Sequence, residues 1–132
     1  MTKKTILWLL LGFLTITLAA GCGCEDTDIS TYEVILDSPA QNAVVSSLSP
    51  TFSWHDQASC LPDHLNLYLK ENGTVYFLPI NVIPGNKASF TLPSSLQPGW
   101  KYVWQMKAVS ANNFAGPISE AHDFFTGPVC SG

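Results

Sequence analysis

Leu96-Gln97-Pro98-Gly99-Trp100-Lys101-Tyr102-Val103-Trp104-Gln105-Met106-Lys107-Ala108 reads as a turn followed by a strand. Pro98-Gly99 punctuates the chain, because proline fixes φ and glycine tolerates the left-handed region. From Lys101 the side chains alternate, and Tyr102, Trp104, Met106 and Ala108 share one face. Period-two alternation is the mark of a strand with one face buried. The strand is expected to run from Lys101 to Ser110.

Working outward, the same texture recurs. Prolines at 39, 50, 62, 79, 84, 93, 98, 117 and 128 leave no room for a helix of useful length after residue 22. Strands are expected at Glu33–Asp37, Thr51–Asp56, Leu65–Lys70, Thr74–Leu78, Lys87–Leu92, Lys101–Ser110 and Glu120–Thr126. Phe52 and Trp54 share a face, as do Leu65, Leu67 and Leu69. Asn72-Gly73 between apolar runs predicts a type I′ hairpin joining the third and fourth strands. Pro84-Gly85-Asn86 predicts a further turn. Seven short strands in about 95 residues have the size and spacing of an all-β, antiparallel two-sheet sandwich.

Composition agrees and excludes some functions. The 132 residues hold one domain and little more. Hydrophobic residues reach 46% against 12% charged, the balance of a chain with a packed core. Ten acidic residues face six basic ones, and all six are Lys. With no Arg fork and a net charge of −4, nucleic acid is not an expected partner.

The order of pieces gives a resemblance. Leu96 with Tyr102 and Trp104 resembles the corner and sixth strand of fibronectin type III domains, and Pro50-Thr51-Phe52-Ser53-Trp54 resembles their second strand with its core tryptophan. Asn113–Gly116, Ser119-Glu120 and Phe125-Thr126 are similar to their F–G loop and last strand, and Ser38-Pro39 with Asn42 and Val44-Val45 to the opening of bacterial members. The resemblance covers about Tyr32–Thr126. It implies an immunoglobulin-like sandwich in which the Tyr102 hydroxyl bonds nearby backbone. Trp54, Leu96, Tyr102 and Trp104 are then fold-defining core residues, not a ligand platform.

The N-terminus has a separate logic. Lys3 and Lys4 precede an uncharged run, Thr5–Gly21, which ends in Leu18-Ala19-Ala20-Gly21-Cys22. A basic start, an apolar stretch and small residues form an export signal. The last five residues resemble the lipobox of bacterial lipoproteins, although Ala19 stands where Leu is commoner. The resemblance implies cleavage before Cys22, a diacylglycerol on its thiol and acylation of the new amino group. An uncleaved anchor or an ordinary signal is the alternative. Gly23 in the next position implies the outer membrane if the cell is Gram-negative. The expected organisation is a signal peptide at 1–21, an acidic solvated tether at 22–31, the sandwich at 32–127 and a tail at 128–132. Beyond Cys22 the side chains carry four Lys against ten carboxylates, a formal −6.

Three cysteines remain after Cys22. In the sandwich order the B–C loop, with Cys60, lies at the pole where the chain enters, and Cys24 precedes the first strand by about nine residues. Cys130 follows the last strand, which ends at the other pole. Cys24–Cys60 is therefore the favoured disulfide, with Cys60–Cys130 as the alternative. The favoured bridge would turn the B–C pole towards the lipid.

Chemical sites are sparse. His55, Asp56, Asp63, His64, His122 and Asp123 include possible metal ligands, but without the spacing of a known zinc motif. No Gly-x-Ser-x-Gly elbow or Gly-rich phosphate loop occurs, and neither metal nor cofactor is expected. The candidate recognition element is the F–G loop, with Asn112 and Asn113 leading to Phe114 at its tip. The alternative is that Phe114 packs against the B–C loop. The expected function is non-catalytic: a membrane-anchored envelope protein that binds another envelope protein or a polysaccharide. A small envelope metal-binding protein or enzyme using His55, His64 and His122, and a passive accessory subunit, are the alternatives.

Overall fold

The computed structural model describes residues 23–75 and 80–128. The expected export signal, Cys22 and Cys130 lie outside them. Eight strands occur among the described residues: β1 (Ile35–Ser38), β2 (Ala43–Val45), β3 (Thr51–His55), β4 (His64–Glu71), β5 (Asn81–Pro84), β6 (Ser89–Thr91), β7 (Lys101–Val109) and β8 (His122–Thr126). They form two sheets, one in the order β1-β3-β6 and the other β2-β8-β7-β4-β5. This is the expected all-β sandwich, with eight strands in place of seven.

The extra strand has a physical cause. The first edge segment divides between the sheets. β1 pairs antiparallel with β3, and β2 pairs parallel with β8 through Ala43↔Phe124, Val44↔Phe125 and Val45↔Thr126. Between them the chain turns at Pro39, behind a cis Ser38–Pro39 peptide bond, and at Asn42, whose φ is +64°. The Trp104 indole N–H donates to the Pro39 carbonyl oxygen at 3.1 Å. The Asn42 N–H reaches the Asp123 carbonyl at 2.7 Å, and the Asp123 N–H reaches Gln41 Oε1 at 2.7 Å. The crossover therefore has its backbone groups paired where it leaves one sheet for the other.

The hairpin expectation also needs correction. Of the two central residues only Gly73 has positive φ (+86°), and the Thr74 N–H bonds the Glu71 carbonyl at 3.1 Å. A positive φ at the second position alone belongs to a type II turn, not to I′. Thr74 and Val75 are not in a strand, and the rest of the expected fourth strand, residues 76–78, lies outside the described residues. β4 instead pairs with β5, in the register Leu65↔Ile83 and Leu67↔Asn81. The turn at Pro84-Gly85-Asn86 is present, closed by the Lys87 N–H on the Pro84 carbonyl at 3.1 Å.

The core lies between the sheets and follows the alternation. Tyr102, Trp104, Met106 and Ala108 of β7 are buried, as are Leu65, Leu67 and Leu69 of β4 and Phe52 and Trp54 of β3. Phe52 joins the layers: its ring meets Trp104 edge-on at 4.8 Å and Phe124 at 5.8 Å. Such offset and edge-on contacts suit the ring quadrupoles and add to the area buried. Tyr102 stacks on Phe124 at 5.7 Å.

The Tyr102 hydroxyl accepts the Gln97 N–H at 2.8 Å, the corner bond that the sequence implied. Leu96 is buried beside it, and its N–H reaches the Leu48 carbonyl at 2.7 Å. Thr126 completes the corner, donating to the Gln97 carbonyl and accepting the Trp100 N–H at 3.0 Å. The pole opposite the B–C loop is thus pinned by hydrogen bonds between Leu96–Trp100 and the end of β8.

The stretch expected to be a solvated tether is folded where it is described. Asp26–Ile29 form a one-turn helix, α1, and Ile29 is fully buried in the core cluster. One apolar side chain in an acidic run gives no periodicity to read, yet it fills the end of the sandwich. Among the described residues no helix is long and apolar enough to cross a membrane.

Tyr102→Phe removes the acceptor of the Gln97 N–H and leaves the ring in place. Equilibrium urea unfolding should show a loss of about 1–3 kcal/mol with an unchanged m-value. A variant as stable as the wild type would mean that water replaces the corner bond at no cost.

Candidate functional site: the N-terminal pole

The disulfide cysteines and the candidate binding loop, Cys24, Cys60 and Asn112–Phe114, gather at one end of the sandwich. Cys24 and Cys60 form a disulfide with Cα atoms 4.9 Å apart, within the reach such a bond needs. This is the favoured pairing. Beside it the Cys24 N–H donates to the Leu61 carbonyl at 2.8 Å, and Gly23 forms a parallel bridge with Leu61. The N-terminal segment is therefore fixed to the B–C loop from the first described residue.

The F–G loop joins the same assembly through Ser110. This residue is 1% exposed, and its hydroxyl donates to Asp26 Oδ1 at 2.6 Å. The same oxygen accepts the Asn112 N–H at 3.2 Å and the Phe114 N–H at 3.1 Å. Backbone bonds close the turn: Ser110 N–H to the Phe114 carbonyl at 2.8 Å, and Asn113 N–H to the Ser110 carbonyl at 3.0 Å. Asn113 takes φ +63°, which its short polar side chain tolerates. Phe114 is left 44% exposed at the turn, and Leu61 50% exposed on the B–C loop. A shallow groove is lined by Cys24–Thr27 and Ser110–Asn112. The sequence reading named Asn112, Asn113 and Phe114 as a candidate binding loop and did not name Ser110, whose only signal was a hydroxyl at the end of an apolar strand.

Two further contacts fasten the segment. The Tyr32 ring is buried, and its phenol is pushed above its ordinary pKa by desolvation, with a hydrogen bond to Asp56 and the charge of that carboxylate adding to the effect. It stays neutral as a donor to Asp56. Gly116 lies so close to α1 that a Cβ there would sit 2.5 Å from the Ile29 carbonyl oxygen. The β5–β6 turn reaches the same pole, with the Gly85 N–H on the Asp63 carbonyl at 3.2 Å and no room for a Cβ against the Pro62 carbonyl.

The three histidines are not brought together. His55 on β3 contacts both carboxylate oxygens of Asp37, at 2.8 and 2.9 Å, and His64 on β4 contacts Asp63 at 2.9 Å. His122 on β8 meets Trp104 edge-on at 6.3 Å. Among the described residues no three His, Cys, Asp or Glu side chains are placed to hold a metal. A lateral groove of about 310 Å³ lies between β1 and residues 117–122, lined by Ile35, Ile118 and His122 among others.

Solved structures share this architecture. The chain superposes on the chicken CNTN1 FN1–FN3 domains with a TM-score of 0.59 and 18% identity, over 74% of this chain and 32% of that one. It matches the fibronectin type-III domain of human fibronectin type III domain containing protein 3 with a TM-score of 0.53 and 18% identity, over 78% and 93% of the two chains. A β-1,2-glucanase from Parabacteroides distasonis gives 0.57 and 16%, covering 83% of this chain but only 14% of the enzyme. At these identities the likeness shows the fold alone: a fibronectin type III-like sandwich. No family model and no curated protein sequence matches the chain.

Replacing both Cys24 and Cys60 by Ser should cost roughly 3–4 kcal/mol, the chain-entropy value for partners 36 residues apart. Chemical denaturation in the absence of reductant measures it, and a loss near zero would show that the other contacts already order the segment. Ser110→Ala removes a donor from Asp26 and an acceptor from two loop amides. Hydrogen exchange at the Phe114 amide should accelerate while the Gln97 amide keeps its protection; equal acceleration at both would refute a local role.

Proposed function

We propose that this chain is a lipid-anchored protein of the bacterial cell envelope whose fibronectin type III-like domain works by contact, in adhesion or assembly, and not by catalysis. One observation carries the proposal. The lipobox-like Leu18-Ala19-Ala20-Gly21-Cys22 stands directly before Gly23 and Cys24, which are joined to the B–C loop of a folded domain. A signal of that form supplies acyl chains at Cys22, and several chains on one residue hold a bilayer far more firmly than one. The sandwich then supplies a rigid body with loops at its poles, the usual position of recognition residues on such scaffolds. Its partner in the envelope would be another protein or a polysaccharide, and Gly23 favours the outer membrane in a Gram-negative cell.

The reading built on His55, His64 and His122 is not favoured, because the three side chains do not converge. Each side chain keeps a separate neighbour, and two of them already contact carboxylates.

Cys22→Ser should move the protein from the membrane fraction to the soluble fraction, and mass spectrometry of the wild type should find an acylated N-terminal cysteine. An unmodified chain, or unchanged fractionation of the variant, would overturn the anchor. Crosslinking in intact cells followed by membrane pull-down should recover a discrete envelope partner. Recovery of the protein alone would leave it a passive spacer.

A further inference from the structure

The lipid anchor proposed above has a geometric consequence on which the following rests. We infer that the pole formed by the B–C and F–G loops is a bilayer-contacting surface, with Leu61 and Phe114 seated among the lipids, so that the domain stands in one orientation on the membrane.

The first argument is the length of free chain. Residue 22 is joined to Gly23 by one peptide unit, about 3.8 Å between Cα atoms. Gly23 bridges Leu61, the Cys24 N–H bonds the Leu61 carbonyl at 2.8 Å, and Cys24 is bonded through sulfur to Cys60. A lipidated residue 22 therefore has no leash. Any acyl chains attached there enter the bilayer beside Leu61, and the B–C loop must follow them to the headgroups. A flexible tether of ten residues would have left the domain free to tumble; α1 and the disulfide remove that freedom.

The second argument is what the pole presents. Leu61 is half exposed and Phe114 nearly so, and neither is needed to close the core. The groove between Cys24–Thr27 and Ser110–Asn112 puts the F–G turn next to the anchor point, and the Ser110–Asp26 bond holds it there. An aromatic and an aliphatic side chain on the two loops that hold the N-terminal segment are the groups that gain from partial immersion at the interface. Charge decides which lipid suits the surface. Glu25, Asp26, Asp28, Asp56 and Asp63 belong to the segments that build this pole, against Lys87 on the neighbouring turn. Anionic headgroups would repel it, so the lipid it fits is zwitterionic.

The orientation assigns roles to the two poles. The F–G loop, which sequence alone marks for partner recognition, is turned to the bilayer. Trp100, 47% exposed at the corner, stands at the far end of β7. Nine strand residues at about 3.3 Å each put it roughly 30 Å from the F–G turn. A partner would then meet the corner pole or the flanks of the sheets.

The test uses the full lipidated protein reconstituted into phosphatidylcholine vesicles, with or without bromine on the acyl chains near the headgroups. Wild-type fluorescence comes from Trp54 and Trp104 in the core and Trp100 at the corner, and should change little on bromination. Leu61→Trp and Phe114→Trp should each add emission that falls by about half or more in brominated vesicles. Loss of quenching in both variants while they still float with the vesicles would overturn the docking and leave the anchor standing. Quenching of wild-type Trp100 would overturn the orientation. A wild-type protein that fails to float would overturn the anchor and the docking with it.

Discussion

Trp104 does two jobs in one place. Its ring packs edge-on against Phe52 of the opposite sheet, and its indole N–H binds the carbonyl of Pro39. The first contact holds the layers together, and the second holds the turn by which the edge segment passes from one layer to the other. A buried indole N–H without a partner would cost about as much as the hydrogen bond it lacks. The crossover at Pro39 supplies that partner, and β2 is thereby delivered to the free side of β8. Removing the ring would open the core; removing only the acceptor would leave the ring in place over an unsatisfied donor.

The two poles are held by different chemistry. At the corner the bonds are polar and local, with Tyr102 and Thr126 satisfying the backbone of Gln97 and Trp100. At the other pole one disulfide, one buried isoleucine and one serine hydroxyl collect three separate segments. Ser110 matters there out of proportion to its size, because a single oxygen organises the F–G turn and ties it to the N-terminal segment at Asp26. This coupling turns an N-terminal extension into part of the domain.

Much of this was legible in the residues. The alternation at Tyr102, Trp104, Met106 and Ala108 identified the buried face of β7, and Leu65, Leu67 and Leu69 that of β4, because side chains on a strand alternate between a dry face and a wet one. Cys24–Cys60 was favoured over Cys60–Cys130 on strand order, since loops at the same pole are neighbours whatever their side chains. The failures were segments too short to carry a period. β2 is three residues long and owes its strand conformation to β8. α1 is a single turn whose one apolar residue had nothing beside it to form a pattern. The type I′ turn after β4 failed for another reason. Asn-Gly permits positive φ at both central positions, but permission is not requirement, and β4 found its partner in Asn81–Pro84.

The sequence by itself determined the all-β class, the identity of the core and the corner, because all of these are written in local periodicity, turn chemistry and residue type. The tertiary structure decided that the edge segment serves both sheets, that the acidic stretch is held to the domain through Ile29 and Asp26, that the histidines stay apart and that Ser110 binds Asp26. Each of these joins atoms distant along the chain. Their free energy depends on a separation that only the packed sandwich sets, and no local pattern records it.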